Sequence, residues 1–124
     1  MKTPPSITET EWKIMKVLWE KAPLSTGEIF QALQKEDSSW HPKTAQTLIG
    51  RLVKKGALGF TGKGRSYLYR PLFTAEECAD QASESFLERV FGGSLKPMLA
   101  HFVEHRKLSA KEIRELKQIL EGGK

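Results

Sequence analysis

Six polar side chains recur at helical spacing between residues 42 and 55, and their types are those that bind nucleic acid. Lysine and glutamine hydrogen-bond base edges, threonine adds a methyl or hydroxyl contact, and arginine and lysine bind phosphate oxygens. The polar face alone would equally fit an ordinary solvated surface helix. The candidate residues are Lys43, Thr44, Gln46, Thr47, Arg51 and Lys54.

The charge around these residues favours nucleic-acid binding. From Ser38 to Ala75 the chain has no Asp or Glu but has seven Lys and Arg residues. Residues 1–72 carry 12 basic and 6 acidic residues, a net charge of +6, whereas residues 73–124 carry 8 and 9, a net charge of −1. A solvated surface normally mixes the two signs, so this local excess predicts a DNA-binding part joined to a part with another task.

An apolar pattern predicts the helix that carries the six residues. Pro42 suits the first position of a helix, and Gly56 suits the left-handed residue that ends it. Between them one apolar stripe would pack on a core. The stripe consists of Ala45, Leu48, Ile49, Leu52 and Val53.

Two more helices are predicted upstream, each beginning with a capping box. Thr8 and Glu11 form the first box, and Ser25 and Glu28 form the second. The apolar stripe of the first helix is predicted to be core rather than a stacking surface for bases. It consists of Trp12, Met15, Leu18 and Trp19.

Two short alternating segments, 57–61 and 66–70, predict a β-hairpin whose tip carries Lys63 and Arg65. Three helices followed by a basic hairpin is the order of a winged helix-turn-helix, in which the hairpin, or wing, contacts phosphates beside the groove. We therefore predict a mainly α fold with a small β-hairpin. Its DNA-binding winged helix-turn-helix domain would span residues 1–72.

Residues 73–124 are predicted to form three helices of a dimerisation domain. So short a segment buries too little core alone, so it packs either on the winged domain or on a second copy. A symmetric protein that binds two half-sites of an operator needs to be a dimer, which favours packing on a second copy. The residues predicted at the dimer contact are Phe86, Leu87, Val90, Phe91, Leu99, Phe102, Ile113, Leu116, Ile119 and Leu120.

One pattern in this segment is typical of a metal site. His101, Glu104 and His105 spell H-x-x-E-H, which some zinc proteases use, but such a site needs a third ligand and a deep cleft. We interpret the pattern as structural, with adventitious metal binding as the first alternative and a zinc protease as the second. Cys78 is the only cysteine and is predicted to be a small buried residue rather than a redox sensor. The prediction is a protein that is not an enzyme and has no cofactor.

The composition also bears on location. No apolar run approaches the ~18 residues of a membrane span, and no signal-peptide core follows the first residues. The single cysteine fits a reducing compartment. We predict a soluble cytoplasmic protein without a membrane partner.

Seven short segments, spread over all but the ends of the chain, form a pattern that is shared with a known family. They are Thr10–Trp12, Val17–Trp19, Lys43–Thr44, Thr47–Ile49, Arg51–Leu52, Phe86–Leu87 and Phe91–Gly93. With these segments the chain, from Ile7 to about Leu120, resembles the penicillinase-repressor family of bacterial winged-helix regulators. This resemblance implies a dimeric repressor on a palindromic operator, often with TACA/TGTA half-sites, over a β-lactam-resistance or related gene. It also implies base contacts from Lys43, Thr44 and the residue at position 46.

Two departures from the family pattern matter. Gln46 stands where the best-known members carry Arg, so an adenine-type contact could replace a guanine-type one and change the operator. The resemblance implies release through cleavage of an Asn-Phe bond by a sensor-linked protease, and the matching pair here is His101–Phe102. The cysteine cluster of copper-responsive relatives is absent. The alternatives are a winged-helix regulator with a different operator and inducer, or a protein-interaction module without repressor activity.

Overall fold

The computed structural model describes residues 3–63 and 66–122. It confirms the predicted fold class, because helices dominate and the two strands form one antiparallel hairpin. The second strand begins at Leu68 rather than at residue 66. The elements are α1 Glu9–Glu20, α2 Thr26–Glu36, α3 Pro42–Lys55, β1 Leu58–Thr61, β2 Leu68–Pro71, α4 Ala75–Phe91, α5 Leu95–Glu104 and α6 Ala110–Gly122.

Reciprocal capping boxes begin four of the helices. In each box the N–H of the capping residue donates to the glutamate carboxylate at 2.8–2.9 Å. The glutamate N–H donates to the cap hydroxyl at 3.0–3.2 Å. Two N–H groups that the first turn would leave without partners are thereby bonded at each helix start. The pairs are Thr8–Glu11, Ser25–Glu28, Thr74–Glu77 and Ser109–Glu112.

The hydrophobic core lies among α1, α2, α3 and β1. Trp12 and Trp19, which were predicted to lie in the core, are only half-buried, and their ring centroids are 5.4 Å apart in an edge-to-face arrangement. Ile14, which was not part of the predicted stripe, is fully buried. The Trp19 indole N–H donates to the carbonyl of Phe73 at 2.9 Å, which gives its polar edge a partner. The core residues are Ile14, Met15, Leu18, Leu24, Ile29, Leu33, Ala45, Leu48, Ile49, Leu52, Ala57 and Leu58.

The hairpin is attached to the helices at its base. Phe60 pairs with Tyr69 in the β1–β2 register. Tyr69 also exchanges two backbone hydrogen bonds with Leu24, at 2.8 and 3.1 Å, in the connection between α1 and α2. Leu72 donates to the Ala57 carbonyl at 2.9 Å. These bonds fix the strands beside the helical core.

The chain divides into two compact units, Met1–Ser83 and Glu84–Lys124, and the boundary falls within α4. The first unit contains the core described above. In the described part of the second unit, residues 84–122, no side chain is buried. Among the described helices, none combines the length and the apolarity that a membrane crossing requires.

Candidate nucleic-acid interface

Helix α3 has sharply defined ends, as its sequence predicts. His41 is extended, and Pro42 follows at the first helical position, where its missing N–H is not needed. Gly56 ends the helix with φ of 88°, in the left-handed region that glycine enters without a Cβ clash. The Gly56 N–H bonds to the carbonyl of Val53 at 3.0 Å, and the Ala57 N–H bonds to that of Leu52 at 2.9 Å.

The apolar stripe of α3 packs into the core, and this fixes which face meets solvent. Four residues of the predicted stripe are 8% exposed or less, and Val53 is half-buried. Because side chains three and four positions apart share a helix face, the polar residues between them must point away from the core. The buried members are Ala45, Leu48, Ile49 and Leu52.

The structure places the six polar residues predicted to bind DNA on the solvent side of α3. All six are exposed, and within residues 3–63 and 66–122 none of their side chains takes part in a hydrogen bond or an ion pair. Among the described residues, their donors and acceptors are thus left open to solvent. Such a surface can exchange water for base edges and phosphates without breaking a contact of the fold. The residues are Lys43, Thr44, Gln46, Thr47, Arg51 and Lys54.

Lys55, the last residue of α3, is exposed like its neighbours but is engaged in contacts within the fold. Its Nζ lies 2.5 Å from the Glu11 carboxylate and donates to the Ser6 carbonyl at 2.9 Å. Glu11 is 1% exposed, and it also accepts the N–H of Thr8 in the capping box. The seven basic residues noted in the sequence are therefore not equivalent, because this one neutralises a buried carboxylate.

The Glu11 carboxylate is stabilised in its charged form. Burial raises the pKa of Glu11, but the hydrogen bond from Lys55 and the bond from the Thr8 N–H outweigh it, and the net pKa is lowered. Sequence spacing did not indicate this pair, because 44 positions separate its members. The only signal was the capping box, which identifies Glu11 as a helix-start residue without indicating its burial.

The wing places one of its two predicted basic residues at an exposed position. Lys63 is exposed at the turn of the hairpin, while Arg65 lies outside the described residues. Three aromatic rings, unremarked at the sequence level as a group, lie together beside the turn. Phe60 is 4.6 Å from Tyr67 and 6.1 Å from Tyr69 between ring centroids. Aromatic pairs of this kind stabilise the pairing of neighbouring strands.

The ten residues predicted at the dimer contact lie on α4, α5 and α6, where four are exposed and six are half-buried. None of the ten is buried, and Ile119 and Leu120 are 65% and 64% exposed. On α5 the apolar face of Leu99 also includes Leu95 and Val103, at 46% and 47% exposure, which sequence reasoning omitted. Their i, i+4 spacing was the signal that could have identified them.

The histidines of the H-x-x-E-H pattern stack on each other. Ring centroids of His101 and His105 are 4.1 Å apart at 31°, and His105 Nδ1 lies 2.9 Å from the His101 carbonyl oxygen. Over the described ranges, no group of three or more His, Cys, Asp or Glu residues is placed to hold a metal ion. Cys78 is buried, as predicted, and burial raises the pKa of its thiol, which keeps it protonated and unreactive.

Fold and site together define a class of protein. Three helices, a hairpin anchored beside them and an exposed basic face on the third helix make a winged helix-turn-helix domain. The sequence profile of the penicillinase repressor family matches residues 7–122. The chain belongs to that family, whose members are transcriptional repressors, which confirms the prediction that it is not an enzyme.

Two relatives illustrate the match. A penicillinase repressor of Bacillus licheniformis is 42% identical over 121 residues, which cover 98% of this chain and 94% of the relative. The methicillin resistance regulatory protein MecI of Staphylococcus aureus (strain N315) is 33% identical over 114 residues, which cover 92% of each chain.

Two solved structures resemble the DNA-binding part. The solution structure of the DNA-binding domain of the repressor BlaI matches with a TM-score of 0.54 and 39% identity, covering 62% of this chain and 93% of that one. The monomeric form of Bacillus licheniformis BlaI, in complex with the blaP half-operator, matches with a TM-score of 0.51 and 38% identity over the same shares.

Proposed function

We propose that the protein is a transcriptional repressor that binds a palindromic operator in double-stranded DNA and controls a β-lactam-resistance or related gene. The observation that carries the proposal is the exposed polar face of α3, whose six side chains make no hydrogen bond or ion pair within the described residues. Family membership and the half-operator complex of a relative support DNA as the partner.

The contacts divide by position along α3 and the wing. Lys43, Thr44 and Gln46 lie in the first turns of α3, where a helix inserted in the major groove reaches base edges. Gln46 is suited to hydrogen-bond adenine N6 and N7. The remaining residues bind phosphates or thymine methyl groups and position the helix. They are Thr47, Arg51, Lys54, Lys63 and Arg65.

The operator is read by a homodimer held together by residues 73–124. The ten apolar residues named above, on α4, α5 and α6, supply the contact, and none of them is buried in the single chain. A second copy would cover these faces and place two α3 helices about one turn of DNA, ~34 Å, apart. In this division residues 1–72 bind DNA and residues 73–124 dimerise.

Repression ends when a sensor-linked protease cleaves the His101–Phe102 bond. That peptide lies within α5, and the carbonyls of both residues accept hydrogen bonds from the turn that follows, at 2.8 Å to Phe102 and 3.0 Å to His101. Cleavage therefore requires the end of α5 to open locally. Loss of the dimer contact would remove the avidity of two linked half-sites, about 10²–10⁴ in affinity.

Selection of binding sites from random DNA, followed by a salt titration, tests the proposal. We expect a palindrome, bound far more tightly than a scrambled duplex, with affinity falling steeply as salt rises on both. Lys43→Ala should lose about 1–3 kcal/mol on the palindrome and little on the scrambled duplex. Weak binding without sequence preference or salt dependence would instead favour a protein-interaction module.

Two adjacent lysines provide a matched control. Lys54→Ala should weaken binding to all sequences and reduce the salt slope by about 1, with an unchanged melting temperature. Lys55→Ala should lower the melting temperature, because it leaves the buried Glu11 carboxylate without its cation. Equal effects of the two substitutions on DNA affinity would argue against the polar face of α3 as the DNA-binding surface.

A further inference from the structure

A glycine interrupts the polar face of α3. Gly50 lies in the middle of a 14-residue helix, where glycine is the poorest residue apart from proline. Its φ is not in the left-handed region, so the backbone conformation does not require glycine. The fold of the chain must therefore supply another reason, or the reason must lie outside the chain.

Packing within the described part of the chain gives no reason for a glycine at position 50. Gly50 is exposed, and a Cβ built on it meets no described atom within 4 Å beyond the backbone of its own helix. By contrast, a Cβ on Gly59 in β1 would lie 3.0 Å from the Leu72 side chain, so that glycine makes room for a neighbour. No residue in the described part of the chain fills the open space above Gly50.

The position of this space is informative. Lys43, Gln46, Thr47 and Lys54 are separated from Gly50 by seven, four, three and four positions, so all four share its face of the helix. The buried residues Ala45, Leu48, Ile49 and Leu52 occupy the opposite face. Gly50 is thus a gap at the centre of the surface that is proposed to bind DNA.

We propose that Gly50 is the point of closest approach between α3 and the operator. Without a Cβ, the backbone can come close to a ligand, and the edge of a base pair would occupy the space that a side chain would fill. The missing side chain thereby determines specificity, because it sets the depth at which the residues around it meet their bases. This inference rests on the proposed DNA-binding function.

Substitution at this position tests the inference with the full-length chain and the palindrome selected by the wild-type protein. Gly50→Ala and Gly50→Leu should reduce the ratio of affinities for the palindrome and a scrambled duplex by about tenfold and about a hundredfold. Affinity for the scrambled duplex should change little, since phosphate contacts tolerate a shallower docking. Both variants should melt at a temperature equal to or higher than that of the wild type, because they improve helix propensity.

Gly27→Ala is the matched control. Gly27 is exposed on α2, and a Cβ there also meets no described atom within 4 Å. It should leave the affinity ratio unchanged. A ratio for Gly50→Leu within about twofold of the wild type would overturn the inference, as would an equal loss for Gly27→Ala and Gly50→Ala. If the wild-type protein itself shows no preference between the two duplexes, the proposed function fails instead.

Discussion

The two units of the chain use their apolar residues in opposite ways. In the unit that ends at Ser83, twelve hydrophobic residues are 8% exposed or less and form one core. In residues 84–122 no side chain is buried, although leucine, isoleucine and phenylalanine recur there at helical spacing. The first unit therefore contains the core that stabilises it, whereas the described part of the second unit has no buried core of its own.

The largest expected effect is the loss of a leucine side chain from the core of the first unit, compared with the same loss from the surface of the second. Leu52→Ala should lower the free energy of unfolding by about 2–5 kcal/mol, because it opens a cavity in a fully buried site. Leu120→Ala, at 64% exposure, should change it by only about 0.5 kcal/mol when the protein is dilute enough to be monomeric. Urea denaturation of both variants measures the difference, and equal losses would contradict the contrast between the units.

A charge on the open face of α6 tests whether a second copy covers it. Ile119→Asp should weaken the proposed homodimer by about 2 kcal/mol, roughly 30-fold in dissociation constant, because the carboxylate would be buried at the contact. Gln118→Asp adds the same charge at the exposed neighbouring position and should have little effect. Sedimentation equilibrium measures both. A dissociation constant that Ile119→Asp leaves unchanged would remove α6 from the dimer contact.

The buried ion pair makes the first unit sensitive to acid. Glu11→Gln should cost about 1–2 kcal/mol, less than a fully buried pair, because the Lys55 side chain keeps 31% of its exposure. The folded-state pKa of Glu11 lies below its ordinary value of 4.5, so the pair contributes its full stability above about pH 4.5 and loses it as the pH falls through the folded-state pKa.

Melting curves between pH 3 and pH 7 measure this contribution. Glu9→Gln, on the same helix turn but exposed, is the control and should leave the pH dependence of the wild type intact. Identical pH profiles for Glu11→Gln and the wild type would mean that the ion pair does not stabilise the fold.

Local sequence signals predicted most of the fold, because they act within a few residues. Capping boxes, the proline and glycine that bound α3 and the alternation of the strands each depend on neighbours along the chain. The buried Glu11–Lys55 pair and the partial exposure of Trp12 depend on how helices meet, so local patterns could not indicate them. For the candidate site, periodicity predicted the exposed face of α3, but only the structure revealed that Gly50 has open space above it.

The smallest expected effect concerns the end of α5, close to the proposed cleavage site. Arg106 has φ of 55°, a left-handed conformation that costs a non-glycine residue about 1 kcal/mol. Arg106→Gly should relieve this strain and slow hydrogen exchange of the Lys107 N–H, which donates to the Phe102 carbonyl at 2.8 Å. Lys107→Gly is the control. Among the described non-glycine residues only Arg106 has a positive φ, so glycine at position 107 relieves no strain. Its greater conformational freedom should therefore speed local opening.

Exchange that is equally fast in Arg106→Gly and the wild type would mean that the strain does not control opening of this turn. If exchange slows, digestion at the His101–Phe102 bond by an added protease should slow in proportion, since local opening must precede cleavage. The same substitution should leave melting of the first unit unchanged. Slower exchange at Lys107 with unchanged melting of the first unit would show that the conformation of Arg106 controls opening of this turn alone.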